Sequence, residues 1–120
     1  MTKYIKDGKV AILYSTNYSE SGWSTWAHPG EEHLLLYEPD VVQLVLDHAA
    51  GILTDQQLED QIHMIWQLKS YKSFVYDGIM DIETLVLDIC WVSEGEKFIV
   101  QDRNGCEVIL LERNMEWHTA

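Results

Sequence analysis

The sequence predicts a single α+β domain: an N-terminal strand, a long tryptophan-containing loop, a short strand, two helices and a C-terminal three-stranded antiparallel meander. Three observations carry that expectation. Lys9 to Ser15 alternates two apolar sets, two segments after Pro39 repeat apolar residues at helical spacing, and the last third holds three β-rich runs divided by turn formers. A chain of 120 residues suits one domain, 1–120, with a core of its own.

In Lys9 to Ser15, Val10, Ile12 and Tyr14 alternate with Ala11 and Leu13, so both faces are apolar and the strand belongs inside a sheet. Thr16 to Glu32 then collects Asn17, Ser19, Ser21, Gly22, Pro29 and Gly30, all loop formers, around Tyr18, Trp23 and Trp26. A loop of this length is uncommon in a small domain and tends to be functional when it carries large aromatics.

Leu34, Leu35 and Leu36 within His33 to Tyr37 read as a brief strand that stops at Glu38-Pro39. Pro39 suits the first position of a helix, Asp40 complements its positive end, and Val41, Val42, Val45, Leu46 and Ala49 recur at helical spacing up to a stop at Gly51. Thr54 and Gln57 form a capping-box pattern for a second helix, whose apolar stripe is Leu58, Ile62, Ile65 and Leu68. Ser70 to Asp81 is mixed, with Tyr71, Phe74 and Tyr76 placed to cover a sheet edge.

Thr84 to Val92, Lys97 to Asp102 and Cys106 to Glu112 form the expected meander, divided at Ser93-Glu94-Gly95 and Asn104-Gly105. A two-residue Asn-Gly turn sets Val100 against Ile109, Phe98 against Leu111 and Lys97 against Glu112. It also sets Asp102 against Glu107, a like-charge pair that calls for screening by Arg103 or a shifted register.

Composition narrows the function classes. The net charge of -12 opposes phosphate backbones, so direct nucleic-acid binding is not expected. The first residues lack a secretory pattern and no apolar run spans a bilayer, which points to a cytoplasmic protein without a membrane role. Cys90 and Cys106 lie in predicted strands without close pairing and read as buried free thiols.

His28-Pro29-Gly30-Glu31-Glu32-His33 superficially evokes a metallopeptidase helix, but the second histidine is displaced and Pro29-Gly30 opposes a helix between them. Neither a metal nor another cofactor is expected. Phosphate-loop, dinucleotide and nucleophile-elbow patterns are missing, and carboxylate pairs such as Asp77 with Asp81 or Glu94 with Glu96 arise readily among twenty acids. A non-enzymatic protein is expected.

Ser21, Gly22, Trp23, Ser24, Thr25 and Trp26 are the candidate ligand-binding residues. As a ligand lip, the tryptophans would stack on a base or sugar while the hydroxyls and backbone N–H groups bind phosphate or hydroxyls. As structure, they would fold over the core or pack at a subunit contact. Phosphate recognition would draw on Lys72, Lys97, Arg103, Arg113 and backbone groups.

Gly22-Trp23-Ser24-Thr25-Trp26, the Glu38-Pro39 step, Trp91-Val92-Ser93-Glu94-Gly95 and Trp117-His118-Thr119-Ala120 together resemble a group of small, poorly characterised tailed-phage and prophage proteins over nearly the whole chain. Those proteins usually have a glycine-rich approach to the tryptophan motif, Asp before the proline and Pro at the place of Ser93. Here Ser19-Glu20-Ser21 precedes the motif.

The resemblance implies phage origin and a host cytoplasm. It suggests a homo-oligomeric binding protein that captures a small nucleotide-like ligand and blunts a host defence signal. The alternative is an acidic inhibitor that occupies a basic nucleic-acid-binding surface of a host protein, in keeping with the charge.

Overall fold

A computed structural model describes residues 3–16, 23–71, 87–103 and 106–112. The architecture is α+β, with strands β1 (Ile5–Lys6) and β2 (Lys9–Ser15) and a 3₁₀ turn (Ser24–Trp26). Helices α1 (Glu32–Tyr37), α2 (Pro39–Ala49) and α3 (Asp55–Lys69) follow, then strands β3 (Leu87–Ser93), β4 (Phe98–Arg103) and β5 (Cys106–Leu111).

β2 is an interior strand, as its two apolar faces require: β1 pairs with it on one side and β3 on the other, both antiparallel. β1 adds an element to the expected plan. Asp7 and Gly8 both have positive φ, 53° and 74°, the pair of values a tight mirror-image hairpin turn demands.

The C-terminal meander is corrected in its pairing. β3 runs from Lys9 opposite Ser93 to Ser15 opposite Leu87, and so joins the N-terminal sheet, while β4 and β5 form a separate hairpin. An interior strand with two apolar faces needs a neighbour along each edge, and β3 supplies the second one. Within the hairpin the expected register holds: Val100 opposes Ile109, Phe98 opposes Leu111, and the Glu112 N–H reaches the Lys97 carbonyl at 3.0 Å. Asn104-Gly105 lies outside the described residues.

The alternation in β2 divides the interior into two cores. Ala11 and Leu13 face the helices, where Trp23, Leu35, Val41, Val42, Leu44, Val45, Ile62, Trp66 and Tyr71 complete one buried cluster. Val10 and Ile12 face the hairpin, and among the described residues Leu36 and Val92 are buried with them; Tyr37, Phe98, Val100, Ile109 and Leu111 are half-buried around them. Helix α1 serves both cores through adjacent residues, Leu35 and Leu36.

His33–Tyr37 is therefore a helix and not the brief strand its leucines suggested. Two cores on different sides of α1 need side chains about 100° apart, which successive helical residues provide, and Leu34 is left exposed at 38%. Glu32 in the first turn favours the helix by its charge.

The later helices follow their end signals. Pro39 opens α2, and the N–H groups of Gly51 and Ile52 bond to the carbonyls of His48 and Asp47, closing a two-bond C-terminal motif around Gly51 at φ 79°. Both capping-box bonds of α3 form between Thr54 and Gln57. The stripe on α3 is shifted, however: Leu68 is 80% exposed and Trp66 is fully buried in its place. A wide indole at the i+4 position from Ile62 reaches the core of α2 and the tryptophan turn, which rotates the buried face away from Leu68.

Candidate functional site

The tryptophan turn is fixed from three directions. Trp23 is fully buried, its indole N–H donates to the Leu35 carbonyl at 2.8 Å, and its ring tilts against Trp66 at 5.1 Å between centroids. Trp66 in turn meets Tyr71 edge-on at 4.9 Å. Such tilted aromatic groupings use the ring quadrupoles favourably. Trp23 thus takes the core role of the two open to it: it has no exposed face on which a ligand could stack.

The other expected ligand residues divide. Ser24 is buried, Thr25 is exposed and holds an acid described below, and Trp26 contributes its backbone to the turn. Ser21 and Gly22 lie outside the described residues, as do Lys72, Arg113, Phe74, Tyr76 and the Trp117-His118 end.

Glu107 anchors the turn from the far hairpin. It is 1% exposed, and its carboxylate accepts from the Ser15 N–H at 2.9 Å, the Thr25 N–H at 3.0 Å and the Thr25 hydroxyl at 2.7 Å. A buried carboxylate needs such donors to offset the loss of water. This also answers the like-charge register: Asp102 does stand opposite Glu107, but Glu107 turns its charge inward to three donors while Asp102 stays exposed.

A second buried acid closes the other side of α1. Glu38, 2% exposed, accepts from the Asp40 N–H at 3.2 Å, from the Lys69 ammonium and from the Tyr71 hydroxyl, and Lys69 also meets Asp40 at 2.9 Å. Burial, then the hydrogen bond and charge of Glu38, push the Tyr71 phenol well above its ordinary value. Burial pulls the Lys69 ammonium down, but Glu38 and Asp40 outweigh it and hold the group above its ordinary value.

Between these anchors the hairpin-side core remains open along one flank. There α1, β4 and the 3₁₀ turn enclose a groove of about 640 Å³ whose floor is Leu36, Tyr37, Phe98, Ile99 and Val100. Its rim is polar, with Ser24, Thr25, Glu32, His33, Glu96 and Lys97. Burial raises the Tyr37 phenol above its ordinary value, which keeps the ring neutral across the physiological range.

A groove of that size with an apolar floor and a few polar groups is the usual form of a small-molecule site. Sequence reasoning placed Ser24, Thr25 and Lys97 at a ligand but missed Tyr37 and Phe98. The one clue was Phe98-Ile99-Val100, an apolar run at the start of a hairpin strand that needs cover from another element.

His28 and His33 are exposed in the loop and on α1, and among the described residues no group of three or more His, Cys, Asp or Glu side chains is placed to hold a metal ion. Cys90 and Cys106 are free thiols but half-buried, not fully interior as expected. Burial, with Asp88 nearby, pushes the Cys90 thiol up, which makes it a weaker nucleophile. No described helix is long and apolar enough to cross a membrane.

The fold and site define an α+β protein with a lined, open groove. The chain matches no family model, curated protein or solved structure with which it was compared.

Proposed function

We propose that the chain is a non-enzymatic binding protein that holds a small, ring-bearing ligand of the nucleobase or nucleoside type in the groove between α1 and β4. The observation that carries this reading is the open flank of the second core, where Tyr37 and Phe98 line about 640 Å³ beside Thr25 and Lys97. Aromatic side chains stack on any base, and the rim supplies donors and acceptors for its edge.

The charge on the rim shapes the ligand. Glu32 and Glu96 stand with one lysine, Lys97, so a nucleoside or monophosphate suits the groove better than a polyphosphate. The phage resemblance gives such capture a setting: a homo-oligomeric protein that sequesters a nucleotide-like defence signal in the host cytoplasm.

Calorimetry with nucleosides and with linear and cyclic nucleotides, on the wild type and on Ile99→Glu, tests the reading. Ile99 is 54% exposed at the groove, so the variant keeps the fold while placing a charge on the floor. Heat from at least one ligand, lost in Ile99→Glu, is expected. No heat from any of them overturns the proposal.

The net charge of -12 favours a second reading, an acidic inhibitor of a basic nucleic-acid-binding host protein. Such a partner is captured at low salt and released at high salt. A pull-down without any salt-sensitive partner removes this reading.

A further inference from the structure

Beside the groove lies a smaller cavity of about 50 Å³, with Lys3, Ser93 and Glu96 on its polar side and Val92 and Phe98 on its apolar side. It shares Tyr37, Glu96 and Phe98 with the groove, so a ligand in the larger space has this niche as its immediate neighbour. The volume suits one small polar group, since a water molecule's share of liquid is about 30 Å³.

The niche already meets an ammonium group. The Lys3 Nζ sits 4.6 Å from the centroid of the Tyr37 ring, within the range of a cation–π contact. Lys3 is exposed and precedes β1, and its head lies over the Tyr37 ring beside the groove. With Lys3 withdrawn, groove and niche together would carry Glu32 and Glu96 against Lys97 alone, an excess of negative charge.

We propose that Tyr37 and Glu96 form a subsite for a primary ammonium group, that Lys3 covers the Tyr37 face of it, and that an amine-bearing ligand of the groove displaces Lys3. The inference rests on the reading of the groove as a site for ring-bearing ligands and adds a preference within that class: a ring that carries a primary ammonium group over the same ring without one. Lys3 then acts as a tethered competitor that lowers the apparent affinity of every amine by the strength of its own contact.

The test uses the full chain labelled with nitrogen-15 and two probes of one shape, phenethylamine and 2-phenylethanol. Titrations followed by amide shifts are run on the wild type, Lys3→Ala, and Lys3→Ala combined with Glu96→Gln. Lys3→Ala is expected to tighten phenethylamine about two- to fivefold, the worth of an exposed cation–π contact, with shifts at Tyr37 and Glu96. It leaves 2-phenylethanol unchanged, and the added Glu96→Gln removes the gain.

Equal tightening of both probes, or no change for phenethylamine, overturns the subsite. If nucleosides shift the groove amides while phenethylamine gains nothing from Lys3→Ala, the subsite alone falls and the groove stands. If neither probe nor any nucleoside moves those amides, the groove reading falls and takes the subsite with it.

Discussion

Glu38 and Glu107 are two carboxylates buried to the same degree and satisfied by different means. Among the described residues Glu107 is held by two backbone N–H groups and a hydroxyl, all neutral donors. Glu38 is held by a lysine, a phenol and one backbone N–H. Backbone donors cannot reverse, whereas a phenol can accept as well as donate and a lysine can turn to water. Glu107 should therefore be the less replaceable of the two, although no ion pair reaches it among the described residues.

The largest effect expected in this part of the molecule comes from what Glu107 secures. Trp23→Ala removes a fully buried indole from the turn and should lower stability by about 3–5 kcal/mol in chemical denaturation. Glu107→Ala should follow at about 3 kcal/mol, because the Ser15 N–H and the Thr25 donors lose their acceptor. A loss under about 1 kcal/mol would mean that water reaches these donors and that Glu107 is no anchor.

The amide variants sharpen the contrast. Glu107→Gln turns one acceptor into a donor that faces an N–H, so it should recover little of the alanine loss, remaining near 2 kcal/mol. Glu38→Gln can present its NH₂ to the Tyr71 oxygen and its carbonyl to Lys69, so about 1 kcal/mol is expected. Equal losses in paired denaturation curves would refute the distinction drawn from donor type.

Smallest is an alkaline dependence, to which the Glu38 side contributes two groups. Tyr71 and Lys69 both hold their protons more tightly folded than unfolded. The unfolded chain releases them first, at the ordinary 10.0 and 10.5, so stability falls as pH rises above about 10. Tyr71→Phe should flatten this fall relative to wild type, while Glu107→Gln should leave its slope unchanged. Thermal melts between pH 9 and 11.5 read the difference.

How legible these regions were in the sequence follows from how local their causes are. Pro39, Gly51, Thr54 and Gln57 act within a turn of themselves, and they set both ends of α2 and the start of α3. The α1 leucines failed as a strand because their placement answers to two cores built from residues distant in sequence. The expected pairing of β3 with β4 failed for the same reason, since nearness in sequence favoured β4 while β3 pairs with the distant β2.

The site was half visible. Ser24 and Thr25 of the Trp23 to Trp26 motif line the groove, yet Trp23 itself belongs to the core, and the groove floor comes from Tyr37 and Phe98 on other elements. The clash of Asp102 with Glu107 was the one legible trace of the anchor. An unfavourable pair in a well-supported register is a sign that one member has a partner elsewhere.

The central strand is finished by the end of the chain. β2 pairs Lys9 with Ser93, and its last residue, Ser15, is bonded to Glu107 across 92 positions. A ribosome that has made only β1, β2 and the helices has produced a sheet with one bare edge and half of its interior surface uncovered. Folding must then wait for late, long-range closure, which places the chain among slow folders and makes truncation before β3 a route to aggregation rather than to a smaller stable domain.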